Sequence, residues 1–294
     1  MNRKSHGKAL KSLLKKRTVV LPGVFDAFTA LLVKAAGFEA AYVSGAGLAN
    51  AVAGLPDMGL LSREEIVRQA QYIRQAVDIP CIVDVDTGFG GVLQVMRTVR
   101  VFEEAGVAGI QIEDQLDPKR CGHLSGKSLI PTTEMIQKIK IAVRTRSDPD
   151  FLIIARTDAR GVEGLEPAIE RAKAYRDAGA DLLFPEALES EKEFERVAKE
   201  VPGWLLANMT EFGKSPYLSV RSFSQMGYVA VIFPMTLFRV MAKAGEQCLA
   251  ELAQKGTQKN WIARMQTRQE LYRLLRYEEY ERQDRQAAKG NSDE

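Results

Sequence analysis

The stretch Ile79-Pro80-Cys81-Ile82-Val83-Asp84 is a short apolar run that reads as a buried strand, ending in the acidic pair Asp84 and Asp86 beside Gly88 and Gly90. Val92 to Ala105 then shows helical periodicity, and Gly109-Ile110-Gln111-Ile112-Glu113 reads as the next strand. A strand, a helix and a strand in this spacing form a βα repeat, and the rest of the chain keeps the same rhythm.

Upstream, Thr18 to Leu21 and Ala40 to Ser44 read as strands, with a helix from Asp26 to Ala36 between them. A Gly-rich loop runs through Asp57, and Ser62-Arg63-Glu64-Glu65 has the spacing of a capping box that opens a helix to about Val77. Downstream, Phe151 to Arg156, Leu182 to Pro185, Trp204 to Asn208 and Val229 to Phe233 are the predicted strands. Helices are expected over Thr133 to Arg146, Leu165 to Ala178, Ser190 to Glu200, Val220 to Met226 and Thr236 to Lys255. Eight βα units predict an α/β fold, a (β/α)8 TIM-type barrel forming one domain over 1–294. A doubly wound sheet is the alternative, but Ser44-Gly45-Ala46-Gly47 lacks the full GxGxxG pattern and no GxxxxGK[ST] occurs.

Both ends carry more than the barrel needs. Residues 1–17 are basic, with Leu10, Leu13 and Leu14 on one helical face, and read as an N-terminal helix rather than a transit peptide. Trp261 to about Gln286 reads as one long Arg- and Glu-rich helix, within a C-terminal helical extension over 261–288, and Lys289 to Glu294 as a disordered tail. Of 294 residues 46% are apolar and 27% charged, and the net charge is only +3, so neither nucleic acid nor a membrane surface is an expected partner. No stretch reaches the ~18 apolar residues of a membrane span. Three scattered cysteines suit a reducing compartment, with Cys81 and Cys248 expected in the core.

In a barrel of this kind, functional residues gather where strands end. The strand ends here are Ser44-Gly45, Asp84-Val85-Asp86, Glu113-Asp114, Arg156-Thr157-Asp158, Glu186 and Asn208-Met209-Thr210-Glu211. Carboxylates directed to one rim suggest a hard cation, Mg2+ or Mn2+, at Asp84 and Asp86, and Arg156 could grip a substrate carboxylate with both prongs of its fork. The implied ligand is a small polycarboxylate. Asp117-Pro118-Lys119-Arg120-Cys121-Gly122-His123 sets a thiol among cationic side chains, which favours a thiolate on a mobile loop. An ordinary half-buried cysteine is the plainer alternative.

These pieces together resemble the isocitrate lyase and phosphoenolpyruvate mutase superfamily, and within it the bacterial 2-methylisocitrate lyases. The resemblance runs through Tyr42-Val43-Ser44-Gly45, Gly54-Leu55-Pro56-Asp57, Asp84 to Gly90, Lys119 to His123, Ala155 to Ala159, Phe184 to Ala187, Leu206 to Gly213, Gly256 to Lys259 and Met265 to Arg268. It implies a cytoplasmic, Mg2+-dependent lyase that cleaves 2-methylisocitrate to pyruvate and succinate in propionate breakdown. By position it implies metal binding at Asp84 and Asp86, and substrate contacts from Tyr42, Ser44, Gly45, Ala46, Asp84, Cys121, Gly122, Arg156, Glu186, Asn208, Met209, Thr210, Arg239 and Arg268. Ala46 stands where many relatives have Gly. Cys121 is implied as the acid, with Lys119, Arg120 and His123 stabilising its thiolate and Glu113 orienting the group. The proton of the substrate hydroxyl is left to Tyr42 or a metal-bound hydroxide. The resemblance also implies a homotetramer whose terminal helices exchange between subunits. A 2,3-dimethylmalate lyase or an oxaloacetate hydrolase of the same superfamily is the competing expectation, and a noncatalytic carboxylate binder the competing class.

Overall fold

The computed structural model describes residues 5–123 and 126–290, the last two without their side chains. Met1–Phe238 forms one compact unit and Arg239–Glu294 a second. The first is a closed barrel of eight parallel strands in chain order. These are β1 (Val19–Val24), β2 (Ala41–Val43), β3 (Cys81–Asp84), β4 (Gly109–Glu113), β5 (Leu152–Thr157), β6 (Leu182–Pro185), β7 (Trp204–Asn208) and β8 (Ala230–Phe233). Val19 of β1 pairs with Ala230 of β8, which closes the ring.

Side chains alternate across each strand, and the alternation separates two apolar layers. Ile82, Ile154, Phe184, Leu206 and Ile232 point into the barrel, where they pack as one cluster. Their neighbours Val83, Ile153, Leu183, Ala207 and Val231 point outward into a larger cluster shared with the surrounding helices. Buried on both faces, the strands read as continuous apolar runs. The outer layer comprises α2 (Ala27–Ala35), α4 (Arg63–Ala76), α5 (Val92–Glu104), α6 (Thr132–Thr145), α7 (Leu165–Asp177), α8 (Glu191–Glu200) and α9 (Val220–Met226). The Ser62 capping box forms as its spacing predicts: Glu65 N–H donates to the Ser62 hydroxyl and Ser62 N–H to the Glu65 carboxylate.

The N-terminal helix, α1 (His6–Leu14), is shorter than the basic stretch that contains it. Ser5 caps it and donates its hydroxyl to Asp148 at 2.6 Å. Leu10 and Leu14 are buried in the barrel-interior cluster with the strand-start residues Val19, Ala40, Ala108 and Leu152, so α1 forms the floor of the barrel.

Four expectations need correction. The segment after β2 is helical rather than a Gly-rich loop: Ser44 caps α3 (Gly45–Leu48), and a π-helical turn (Ala49–Ala53) follows and ends on left-handed Gly54. The expected long C-terminal helix is broken. A 3-10 turn (Lys259–Arg264) is followed by α11 (Arg268–Leu274), which opens with a Thr267–Glu270 capping box, and by α12 (Tyr277–Gly290). Arg276, at φ 54°, stands at the break between the last two. Cys81 is buried as expected, whereas Cys248, on α10 (Thr236–Lys255), is only half-buried. The expected tail overlaps α12 up to Gly290, and from 291 on it lies outside the described residues.

The floor yields a stability prediction. Leu10→Ala removes a fully buried side chain from the barrel interior, and urea unfolding should show a loss of about 2–5 kcal/mol. A change below about 0.5 kcal/mol, the range of ordinary surface substitutions, would mean that α1 is not part of the cooperative fold.

Candidate active site

The inward alternation that fills the barrel with apolar residues changes to polar ones at the strand ends. One step beyond Ile82 comes Asp84, beyond Ile154 Arg156, beyond Phe184 Glu186 and beyond Leu206 Asn208, while β4 supplies Gln111 and Glu113. Glu113 lies in register with Arg156, and Arg156 with Phe184, so these side chains meet on adjacent strands. Asp86 lies beyond the end of β3, where the chain has left β geometry: its φ is 50° and its N–H donates to Asp84 Oδ1 at 3.1 Å. Gly45, at the start of α3, packs on the same carboxylate; a Cβ there would stand 3.0 Å from Asp84 Oδ2. Ser44 is buried with its hydroxyl against Met235 Sδ at 3.7 Å, and Ala46 is half-buried in the same turn.

Arg156 is a buried cation at the centre of the rim. Its Nε and Nη2 donate to the two oxygens of Asp158 at 3.0 and 3.1 Å. The fork predicted to grip a substrate carboxylate is thus occupied, and Nη1 is the prong that faces Glu113 and Glu186, each at 3.4 Å. Beneath it, Asp114 accepts hydrogen bonds from Thr157 and Tyr175, both at 2.7 Å, and from the Asp158 N–H at 3.0 Å. Asn208 donates to Glu186 at 3.1 Å. Met209 is buried, and Thr210 half-buried, just beyond β7.

The strap Lys119–His123 lies on this rim. A Cβ at Gly122 would collide with Arg156 Nη2 and Glu186 Cγ, so glycine is required by close approach. The His123 ring sits on Gly213, whose Cβ would stand 2.6 Å from Nδ1. His123 Nδ1 accepts the Lys214 N–H at 3.0 Å, which leaves the proton on Nε2, 3.2 Å from Glu186. Lys119 pairs with Asp57 and, at 2.7 Å, with Asp86. Arg120 is exposed, its backbone held by the Gln115 amide through two 2.8 Å hydrogen bonds. Of the cations predicted to favour a thiolate, Lys119 and His123 are thus engaged elsewhere and Arg120 is exposed, and burial pushes the half-buried Cys121 thiol above its ordinary pKa. The strap presents a neutral thiol, which can give a proton. Glu113, expected to orient that group, faces Arg156 instead. Arg239 and Arg268 belong to the second unit.

Carboxylates outnumber cations at the rim, and their ionisation shows it. Burial, reinforced by the charge of Asp86, pushes Asp84 up to about 6. Glu113 is pushed well above the usual carboxylate range by burial, and among the described residues neither of its oxygens has a hydrogen-bond partner. Glu186 moves the other way: burial opposes ionisation, but Arg156 and His123 outweigh it. Burial works to discharge Lys119 as well, but Asp86, Glu113 and Asp57 keep it an ammonium. Tyr42, whose hydroxyl donates to Gln111 at 2.5 Å, is raised well above 10 by burial and then by Asp84, so it is a proton donor here and not a base. Among the described residues no three His, Cys, Asp or Glu converge as a preformed ligand set. Asp84 and Asp86, adjacent at the rim and linked by the Asp86 N–H, offer two carboxylates, the donor set of a hard divalent cation that keeps several waters.

The sequence had named most of the rim, Asp158 among its strand ends though without a role, but missed three of its members. Asp57 lies inside a recognisable motif but looked like an ordinary loop residue. Gln111 sits one step below Glu113 on an apolar-looking strand. Lys127 had no signal at all, because a lone lysine after a loop normally remains in water.

Residues 10–253 match the protein family described as phosphoenolpyruvate phosphomutase. A 2-methylisocitrate lyase from Aeropyrum pernix is 51% identical over 284 residues, covering 96% of this chain and 91% of its own. The 2-methylisocitrate lyase of Bacillus subtilis is 50% identical over 269 residues, 92% of this chain and 88% of its own. Among solved structures, a 2,3-dimethylmalate lyase of the PEP mutase/isocitrate lyase superfamily superposes with a TM-score of 0.90 at 34% identity, covering 96% of this chain and 95% of that one. A phosphonopyruvate hydrolase in complex with oxalate and Mg2+ gives 0.85 at 27% identity, over 94% and 97% of the two chains. Fold, rim and relatives agree: the chain belongs to the phosphoenolpyruvate phosphomutase family, within the PEP mutase/isocitrate lyase superfamily, and is a lyase of that group.

Proposed function

We propose that this lyase cleaves 2-methylisocitrate to pyruvate and succinate, serving propionate breakdown by the methylcitrate cycle in the cytoplasm. The observation that carries the reading is the half-buried Cys121 thiol on a strap whose Gly122 packs against Arg156 and Glu186 of an acidic rim. Asp84 and Asp86 would hold that cation, Mg2+ with Mn2+ as a substitute, and when bound it supplies Lewis-acid stabilisation of charge on the substrate's hydroxyl oxygen.

The chain's own groups account for the rest. Ser44, Gly45 and Ala46 border the place for the pyruvate half, and Arg156 Nη1 attracts a carboxylate into the barrel. The hydroxyl proton passes to solvent, the pyruvate carbonyl forms and the carbon–carbon bond breaks. Its electron pair passes to the carbon beside a carboxylate of the other half. Cys121 gives that carbon its proton, completing succinate, and the resulting thiolate is re-protonated from solvent before the next cycle. Tyr42 and Asn208 act as neutral donors. His123, tied between Lys214 and Glu186, fixes the strap that carries the thiol and helps keep water out. The remaining substrate contacts of the proposal within the barrel come from Glu186, Met209 and Thr210.

The substrate is settled by offering 2-methylisocitrate, isocitrate, 2,3-dimethylmalate and oxaloacetate separately with Mg2+. The expected result is the highest kcat/KM for 2-methylisocitrate, with isocitrate disfavoured by only ~1–3 kcal/mol for the missing methyl. Preference for dimethylmalate or oxaloacetate would overturn the substrate. Cys121→Ser should lower kcat by about 10²–10⁴.

A pH profile tests the acid independently. Cleavage needs the thiol protonated, so kcat should fall as pH rises through the Cys121 pKa, which burial places above the ordinary ~8.5. An alkaline limb that survives unchanged in the residual activity of Cys121→Ser would assign it to another group.

Assembly is part of the proposal: a homotetramer with exchanged C-terminal helices. Among the described residues of α10 none is buried, and Val240, Met241, Leu249 and Leu252 present apolar surface that a neighbouring subunit could cover. Light scattering should give four times the 32.6 kDa chain mass; a fully active monomer would exclude the exchange.

A further inference from the structure

We propose that Lys127 is a positioning residue for the Cys121 strap, acting as a buried post on which the Gly122 carbonyl docks and which Asp158 holds upright. The inference rests on the proposed role of Cys121, and its first test is independent of any turnover.

The Lys127 side chain is only 1% exposed, and its partner Asp158 is 0% exposed. Its ammonium donates to Asp158 Oδ1 at 2.9 Å and to the Gly122 carbonyl. A buried ammonium is costly unless it is paired and hydrogen-bonded, so this lysine is not an incidental surface charge folded inward. Space is made for it: Gly161 lies beneath, where a Cβ would come within 3.2 Å of Nζ. The post is also fixed from below. Asp158 is held through its own N–H by Asp114, and Asp114 in turn accepts from Tyr175 and Thr157.

Asp158 spends its other capacity on Arg156, so one carboxylate orients both the rim arginine and the strap's docking post. Gly122 is the residue between the thiol and His123. Docking its carbonyl on Lys127 fixes the backbone on the C-terminal side of Cys121, while Lys119 on Asp57 and Asp86 fixes the N-terminal side. Without the post, the strap retains Lys119 and His123 as ties, but the carbonyl next to the thiol has lost its partner. The thiol then has the right chemistry without a fixed address, which slows proton delivery more than it weakens substrate binding.

The experiment uses the full-length protein and Lys127→Met, with Lys127→Arg as the conservative variant. Alkylation by iodoacetamide is followed on the Cys121 peptide by mass spectrometry. Lys127→Met should be labelled at least fivefold faster than the parent, and Lys127→Arg, which can reach both partners, should return towards the parent rate. In steady-state assays Lys127→Met should lose at least tenfold in kcat with KM changed less than threefold. If the methionine variant does not fold, Lys127→Gln, which keeps a donor for Gly122 and drops the charge, carries the same comparison. A parent-like labelling rate in a folded variant overturns the post. Faster labelling of Lys127→Met, with the parent inactive on every substrate offered, would uphold the post and overturn the proposed reaction instead.

Discussion

A guanidinium inside a barrel has to be neutralised where it stands, and much of the active site is arranged around that constraint at Arg156. Its side chain is only 10% exposed, so water screens the charge poorly and carboxylates must do so. Asp158 takes its fork, and Glu113 and Glu186 face its remaining prong. Each of these carboxylates then needs support of its own. Asp158 is braced by Asp114 and Lys127, and Glu186 by Asn208 and His123. Glu113 has the least support, and burial holds its carboxyl well above the usual carboxylate range. The strap is drawn into the same network, because Gly122 and His123 rest on residues that serve Arg156.

The barrel was legible because its strands satisfy two independent rules at once. Gly109–Glu113 and Trp204–Asn208 are short apolar runs at the expected repeat, and both end where the side chains turn polar. Strand limits were recovered to within a few residues, since burial on both faces leaves little doubt where an apolar run stops. The rim was legible for a related reason: in a closed parallel barrel the inward alternation delivers every second residue of a strand end to one place. Asp84, Arg156, Glu186 and Asn208 follow from that alone.

What could not be read was pairing. The thiol of Cys121 stands among cations in sequence, yet in space Lys119 is committed to Asp57 and Asp86, and Arg120 is directed outward. Sequence proximity gave the right residues and the wrong electrostatics. The fork of Arg156 was misjudged in the same way, because Asp158 lies only two residues away and reaches it first. In the C-terminal segment the error was of another kind. The Thr267–Glu270 spacing is a capping box and marks a helix start, but it was passed over inside a long run of helix formers.

The closure of β1 on β8 has a consequence for how the chain is made. Val19 pairs with Ala230, so the first strand leaves the ribosome roughly 200 residues before its second neighbour. At a synthesis rate of ~5–20 residues per second that is a delay on the order of ten to forty seconds. Throughout it one edge of β1 is bare, and the floor helix has no finished barrel to seal, since Leu10 and Leu14 pack with residues from strands on both sides of the gap. A nascent intermediate with an open strand edge is the form of this enzyme most exposed to chaperones and to self-association. Variants that weaken β8 should therefore reduce the yield of folded protein before they reduce the stability of what has already folded.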